Sequence, residues 1–375
     1  MKRILALLLS LTLVLSLVAC GNGNNDNNSS AQSEDKTSSE TSSETSSATS
    51  SETSSSTSSL TSSKPTTSSK PSTPTQIVIP ADVEKPQFAV SEENVYTHQL
   101  VRRDLNKENK IYYATPKAKG KYQTVIIMHG QGTVDKFKNR LLTHINTWAK
   151  MGYIKPMVVV IPEIFTSYGP SSSTTDSDID DFQFYIYKSK PNRFNALLTS
   201  IETGELSPQI DTKIQPYVSG FSMGGMAALH AGVEYNDRIK HVGALSPAKA
   251  FYLGDGKWGI YNYAKDIKFS KAKDACVYLS AGQAEVDFEG KPGFIESINR
   301  YEQGIKVNNA SILTKFVAPS SWGGHSFEMA QKEIFMYLYL ISNGKLPSNK
   351  LVEAICCNAN EYKVPTIVFK EEEHV

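Results

Sequence analysis

Residues 95–342 alternate short aliphatic, β-branched runs with segments long enough to be helices. The runs are nearly continuous in Val and Ile, which is typical of strands buried on both faces of a parallel sheet. We predict strands at 95–100, 111–114, 124–128, 157–161, 217–219, 242–245, 276–280 and 312–317. Apolar residues recur on one face of residues 136–151, which predicts an amphipathic helix that ends at Gly152. The pattern therefore predicts an α/β fold, with a mostly parallel eight-stranded sheet covered by helices on both faces.

Composition divides the chain into two parts. None of the 3 Trp, 18 Tyr and 15 Phe lies in residues 1–76. Residues 77–375 contain all of these aromatic residues and are long enough to bury a large core, so we predict one folded domain there. Lys and Arg number 39 against 38 Asp and Glu, a net charge of +1. This balance excludes the basic footprint that a nucleic-acid partner requires.

The first 20 residues have the pattern of a targeting segment. Lys2 and Arg3 are basic, residues 4–18 are almost wholly apolar, and the sequence then reads Leu-Val-Ala-Cys up to Cys20. The apolar run is shorter than the roughly 20 residues that a membrane-spanning helix needs. Leu-Val-Ala-Cys resembles the lipobox of bacterial lipoproteins, whose cysteine is acylated after cleavage. We predict a lipoprotein signal peptide at 1–20, lipidation of Cys20 and anchoring at the extracellular face of the cell membrane. A plain secreted protein is the alternative.

Residues 21–76 are predicted to be a disordered tether. Thr-Ser-Ser-x tetrads repeat from Thr37 to Lys64, and two Lys-Pro pairs follow. With so few apolar side chains, this part cannot bury enough surface to offset the entropy of ordering. The repeat is one of composition and predicts an extended Ser/Thr-rich spacer, such as one that crosses a cell wall.

No metal or cofactor site is predicted. Cys276, Cys356 and Cys357 lack metal-ligand spacing and are predicted to be thiols, with a disulfide from Cys276 as the alternative. A polar loop between Phe165 and Phe182 carries four closely spaced aspartates. It lacks the central Gly and the closing Glu of a calcium loop, so we predict a solvated loop near the mouth of the substrate pocket.

The most informative motif is Gly220-Phe221-Ser222-Met223-Gly224, which lies between a predicted strand and a predicted helix. In a strand-to-helix turn this tight, the positions two before and two after the serine have almost no room for a side chain. The turn holds the serine hydroxyl at the carboxyl edge of the sheet, where the helix N-terminus favours negative charge. We predict that Ser222 is a catalytic nucleophile. A glycine-rich turn with a capping serine is the alternative.

A serine hydroxyl needs a base to accept its proton, and the chain has 7 His. His325 is favoured, because it follows the last predicted strand in a glycine-rich loop and precedes a helical segment. His129 ends the predicted strand 124–128, and the residues after it, Gly130, Gln131 and Gly132, can leave a backbone N–H free to bind an oxyanion. The side chain of His129 itself is predicted to organise that loop.

The third catalytic group should be a carboxylate that follows the penultimate strand. Residues 280–287 supply two, Glu285 and Asp287. Either one gives the chain order serine, acid, histidine. Side chains of an extended segment alternate, so only one of the two can face His325.

Six segments together resemble the esterase D-like esterases of the α/β-hydrolase superfamily, a group that includes feruloyl and acetyl-xylan esterases. The segments are residues 124–132, 152–163, 220–228, 242–248, 282–288 and 324–327. The resemblance implies an α/β-hydrolase fold, with Ser222 as the nucleophile and His325 as the base. It also implies an oxyanion hole made by the backbone amides of Met223 and of Gln131 or Gly132.

The acid is where the chain departs from that family, which usually has Asp three residues after the glycine. That position is Glu285 here, and Asp287 follows two residues later. Since α/β-hydrolases accept Asp or Glu at this place, the match of position favours Glu285.

Two functions from different classes are consistent with these features. The first is a surface-anchored serine carboxylic ester hydrolase that works through an acyl-enzyme. Its partners would be an ester substrate, such as a feruloyl or acetyl ester of plant polysaccharide, and the membrane through the lipid on Cys20. No cofactor and no obligate protein partner is predicted. The second is a non-catalytic lipoprotein that binds polysaccharide or another surface on a hydrolase scaffold. The full set of serine, histidine and acid favours the enzyme, because a binding protein needs none of them.

Overall fold

The structure is a computed structural model of the chain. It describes residues 76–89, 96, 101–104, 110–130, 134–164, 193–239, 241–248, 250–254, 257–260, 276–286, 290, 292–307, 311–356 and 366–369. The chain separates into two units, Met1–Ser68 and Ser69–Val375, and every described residue belongs to the second. The predicted signal peptide and all but the last residue of the predicted tether lie outside the described residues.

Twelve strands are found among the described residues. In chain order they are β1 (Gln76–Ile79), β2 (Val101–Asp104), β3 (Lys110–Ala114), β4 (Thr124–Met128), β5 (Val158–Pro162), β6 (Tyr217–Phe221), β7 (His241–Leu245), β8 (Ala250–Gly254), β9 (Lys257–Ile260), β10 (Cys276–Gly282), β11 (Ser311–Ala318) and β12 (Thr366–Phe369). Eight of them form one sheet in the order β2-β3-β5-β4-β6-β7-β10-β11. Two small sheets pair β1 with β12 and β8 with β9.

The main sheet is parallel except at one edge, where β3 runs antiparallel to both β2 and β5. The prediction of a mostly parallel eight-stranded sheet is therefore confirmed. The first predicted strand, at 95–100, was placed too early, because the strand that pairs with β3 lies at Val101–Asp104. Of residues 95–100 only Tyr96 is described, and it forms an isolated bridge with Pro116. Tyr96 is fully buried, with its hydroxyl accepting a hydrogen bond from the Met157 N–H at 2.7 Å. Tyr96 belongs to the same core cluster as Val125 and Ile127 of β4.

Helices cover both faces of the sheet. They are α1 (Val134–Lys150), α2 (Arg193–Glu202), α3 (Met223–Glu234), α4 (Gly293–Val307), α5 (Phe327–Asn343) and α6 (Asn349–Ile355). Buried side chains of α1, α5 and α6 share one core with Val125 and Ile127 of β4. Those of α2, α3 and α4 share a second core with Ile126 and Met128 of the same strand. Since successive side chains of a strand point to opposite faces, the two cores lie on opposite sides of the sheet.

Helix α1 shows how the sequence specifies these layers. The predicted apolar face is confirmed, because Phe137, Leu141, Ile145 and Trp148 are all buried. The helix ends just before Gly152, which has a φ of 78°. A Cβ at Gly152 would lie 2.2 Å from the carbonyl oxygen of Phe88, so the position admits only glycine. The backbone conformation of Gly152 therefore ends the helix and lets the backbone at Phe88 approach closely.

Cys276 and Cys356 are thiols, half-buried and buried respectively, as the spacing of the cysteines predicted. Cys357 lies outside the described residues. Within the described ranges, no helix combines the length and the apolar composition that crossing a membrane requires.

Candidate active site

Ser222 occupies the sharp turn between β6 and α3. Its φ of 61° and ψ of −122° are a strained conformation for a residue with a side chain. A Cβ on Gly220 would lie 2.3 Å from the carbonyl oxygen of Gly224, and one on Gly224 would lie 2.2 Å from that of Met128. Both glycines are thus required by the close approach of the backbone, as the motif predicted. The turn holds Ser222 at the carboxyl end of β6.

His325 is brought to Ser222 by the loop before α5. The Ser222 hydroxyl donates to Nε2 of His325, with 2.8 Å between the oxygen and the nitrogen. Ser326 is the N-cap of α5 and accepts a hydrogen bond from the Met329 N–H, which fixes where the loop joins the helix. Ser222 is 9% exposed and the His325 side chain is 25% exposed, so the pair keeps some contact with solvent.

Glu285 completes this hydrogen-bonded chain. Nδ1 of His325 donates to Oε1 of Glu285 at 2.7 Å. The Glu285 side chain is fully buried, and its other oxygen, Oε2, accepts from the Gly282 N–H at 2.6 Å. Asp287, the alternative acid, lies outside the described residues. The carboxylate that contacts His325 in the structure is therefore the one favoured by position after Gly282.

The imidazole of His325 also lies between two aromatic rings. The ring of Phe294 is 4.0 Å from it with an interplanar angle of 13°, and the ring of Phe221 is 4.5 Å away at 20°. Two phenyl rings nearly parallel to one imidazole at these distances would clash if they shared a face, so they flank it. Neither ring was predicted as part of the site. Phe221 is inside the serine motif and could have been suspected, whereas Phe294 lies in no motif that marks it as part of the site.

The region predicted to hold the oxyanion is described only in part. Met223 is the first residue of α3, so its backbone N–H belongs to the positive end of that helix. Gln131 and Gly132 lie outside the described residues. Next to them, His129 is buried, donates from Nδ1 to the Gly130 carbonyl at 2.8 Å, and accepts at Nε2 from the Ile164 N–H at 3.2 Å. The prediction that His129 organises its loop is confirmed. Burial lowers the pKa of His129 to about 4, so the imidazole is neutral.

The predicted solvated aspartate loop between Phe165 and Phe182 lies outside the described residues. In the described part of the chain, no group of three or more His, Cys, Asp or Glu is arranged to hold a metal ion.

The family model described as "Putative esterase" matches residues 103–332, which is more than half of the chain. A solved ferulic acid esterase from the anaerobic fungus Anaeromyces mucronatus is 16% identical, with 68% of this chain and 97% of that chain covered and a TM-score of 0.47. A solved S-formylglutathione hydrolase from Agrobacterium tumefaciens is 15% identical, with 64% and 92% covered and a TM-score of 0.45. Among curated proteins, none matches the chain.

The strand order of the main sheet and the serine turn after β6 define the class of the protein as an α/β-hydrolase. Since the family model covers residues 103–332, the chain belongs to that esterase family, and it is a carboxylic ester hydrolase. The resemblance stated from the sequence is confirmed at the level of family and fold.

Proposed function

We propose that this hydrolase uses Ser222 as nucleophile, His325 as general base and acid, and Glu285 as the orienting carboxylate. The observation that carries the proposal is the unbroken pair of hydrogen bonds at 2.8 Å and 2.7 Å that joins the three side chains. A serine hydroxyl donating to an imidazole, whose other nitrogen donates to a buried carboxylate, is the arrangement that makes serine nucleophilic near neutral pH.

The chemistry follows from this geometry. As Ser222 Oγ attacks the ester carbonyl, its proton passes to Nε2 of His325, and Glu285 stabilises the imidazolium through Nδ1. The oxyanion develops at the N-terminus of α3, where the Met223 N–H is one proposed donor, with Gln131 or Gly132 as the other. His325 then gives its proton to the leaving alcohol. In the second half of the cycle it activates a water that hydrolyses the acyl-enzyme.

The proposal extends to the substrate class. We propose feruloyl or acetyl esters of plant polysaccharide, which is what the likeness of the six sequence segments to feruloyl and acetyl-xylan esterases supports. Release of ferulate and of acetate from xylan by the purified protein, compared on the same preparation, would rank the two. Turnover of p-nitrophenyl esters without release from either polysaccharide would argue for a different natural ester.

The test of the activity itself compares three forms of the protein lacking residues 1–20. The parent should turn over a panel of p-nitrophenyl esters, and Ser222→Ala should lose about 10³-fold or more in kcat. Ser219→Ala is a matched control, because this buried serine lies on β6, the strand that leads to Ser222, but donates to the Gly243 carbonyl at 3.0 Å. An inactive parent with a normal thermal transition would count against the enzyme and favour the binding protein.

We also propose that the protein is a lipoprotein held at the extracellular face of the cell membrane through Cys20. The lipobox, its short apolar run and the Ser/Thr-rich segment that follows support this. Cys20→Ala should release the protein from membranes or stall its processing. Unchanged membrane association of a Cys20→Ala protein that has lost its signal peptide would contradict the proposal.

A further inference from the structure

Beyond the three side chains, a second buried carboxyl group is connected to the site. Ser246 follows β7, is fully buried, and has a φ of 39°. Its hydroxyl forms hydrogen bonds with Oε2 of Glu285 and, at 2.9 Å, with Oε2 of Glu333 on α5. Glu333 is also fully buried. One serine oxygen therefore joins Glu285 to a carboxyl group that does not touch His325 or Ser222.

The number of available protons decides which of Ser246, Glu285 and Glu333 donates in each hydrogen bond. A serine hydroxyl carries one proton and can donate to only one carboxyl group at a time. Glu285 already accepts from Gly282 and from His325, which makes it the group best able to hold a negative charge. Ser246 must then donate to Glu285 and accept from Glu333. This requires that the carboxyl group of Glu333 carries a proton.

The surroundings of Glu333 agree with a protonated state. Burial raises the pKa of Glu333 well above its usual range, and the nearby Glu285 carboxylate raises it further. From β10, Tyr278 also faces Glu333, and burial raises the pKa of its phenol, so it brings no charge. The Ser280 and Ser246 hydroxyls lower the pKa of Glu333, but by less than burial and Glu285 raise it, and within the described part of the chain no cation offsets a charge there. Two carboxylates this close together cannot both ionise at low cost.

We propose that Glu333 is a positioning residue of the esterase, which in its neutral form donates through Ser246 to Glu285 and so fixes the carboxylate that orients His325. The inference rests on the proposed roles of Ser222, His325 and Glu285. With Gly282 and Ser246 both bound to Oε2, the other oxygen of Glu285 is left to the imidazole. A neutral Glu333 supplies this bond without adding a second negative charge near His325.

The first test compares two variants of Glu333 in the protein lacking residues 1–20. Glu333→Met keeps the length of the side chain but cannot donate, so kcat should fall about tenfold at an unchanged KM, a loss of the size expected for one hydrogen bond. Glu333→Gln is neutral and can donate from its amide, so it should recover most of that loss. Gln331→Met is the matched control, because Gln331 is buried on the same helix but bonds to His144 at 3.0 Å. It should lower the melting temperature without lowering kcat.

A second variant keeps the proposal testable if Glu333→Met does not fold. Ser246→Gly removes the linking hydroxyl and suits the positive φ at that position. It should reduce kcat to a similar extent, and combining it with Glu333→Gln should cost little more, because both changes break one chain of bonds. Wild-type kcat in Ser246→Gly would overturn the proposal.

The pH profile tests whether Glu333 is neutral, as the proposal requires. If Glu333 is neutral, Glu333→Gln leaves the charge near His325 unchanged, and the acid limb of kcat/KM stays where it is. If Glu333 were ionised, the same change would remove a negative charge and move the acid limb to lower pH by on the order of one unit. Such a shift, or wild-type kcat in Glu333→Met, would overturn the inference. If Ser222→Ala and Glu285→Gln still abolished turnover, the proposed triad would stand regardless.

Discussion

The ring of Phe294, in the first turn of α4, is stacked on the imidazole of His325 with 4.0 Å between centroids. The imidazole must keep one nitrogen on Ser222 and the other on Glu285 while protons move, and a ring packed on its face restricts rotation out of that plane. Phe294 is half-buried, so it also separates part of the imidazole from solvent.

We therefore predict that Phe294→Ala lowers kcat about tenfold, because a loosened imidazole is less often aligned with both partners. Phe294→Leu should fall between the alanine variant and the parent. Ile295→Ala is the control, because Ile295 is a half-buried neighbour of Phe294 that packs against the same second core but carries no ring to stack on His325. Steady-state kinetics with one p-nitrophenyl ester measure the effect, and a Phe294→Ala enzyme with parental kcat would show that the stacking has no catalytic role.

The acid assignment gives a second prediction. Glu285→Gln removes the charge that stabilises the imidazolium and permits the wrong tautomer of His325, so kcat should fall by up to about 10⁴-fold. Asp287→Asn should stay within a few-fold of the parent. Both proteins are checked for folding by thermal melting. A large loss in Asp287→Asn with a nearly normal Glu285→Gln would move the acid two residues along the chain and leave the nucleophile unchanged.

The elements predicted best from the sequence are those whose burial leaves a simple pattern of apolar residues in the chain. Continuous Val and Ile runs gave the central strands, and the spacing of Phe137, Leu141, Ile145 and Trp148 gave α1, because burial on two faces or on one face leaves a direct pattern. The predicted position of the first strand, at the antiparallel edge, was displaced. Whether 95–100 or 101–104 forms that strand depends on pairing with β3 rather than on local composition.

The residues of the site also differ in whether the local sequence reveals them. Ser222 was found because the backbone around it demands glycines, a requirement that is local in sequence. Phe294, Ser246 and Glu333 could not be found in this way, since each contacts the site through the folded sheet and not through a motif. Glu333 follows Gln331 and Lys332 in the sequence, so its local pattern does not reveal that it is buried, and the sequence alone offers no partner for it.

A third prediction concerns stability at acid pH. Burial lowers the pKa of His129 to about 4 and that of His230 to about 3, from 6.5 in the unfolded chain. Between pH 6.5 and about 4 the unfolded chain binds more protons at these groups than the folded protein does, so the free energy of unfolding falls as the pH falls. This stability is fully present above pH 6.5.

Urea unfolding between pH 7 and 4.5 measures that dependence. His230→Gln should show a shallower fall, by up to about one proton taken up on unfolding, whatever its stability at pH 7. His230 is the better choice for this test, because His129 also bonds to the backbone next to the site. An identical slope in the variant and the parent would mean that His230 is not held neutral in the folded protein.

The central claim, that Ser222 and His325 act as one nucleophilic unit, is tested most directly by labelling with a fluorophosphonate and locating the adduct by mass spectrometry. We predict a single adduct on the peptide that contains Ser222, none in Ser222→Ala, and strongly slowed labelling in His325→Ala. In parallel, Ser222→Ala and His325→Ala should each lose about 10³-fold or more in kcat, and the double variant should be little worse. An adduct on another residue that abolishes turnover, or multiplicative losses in the double variant, would contradict the account.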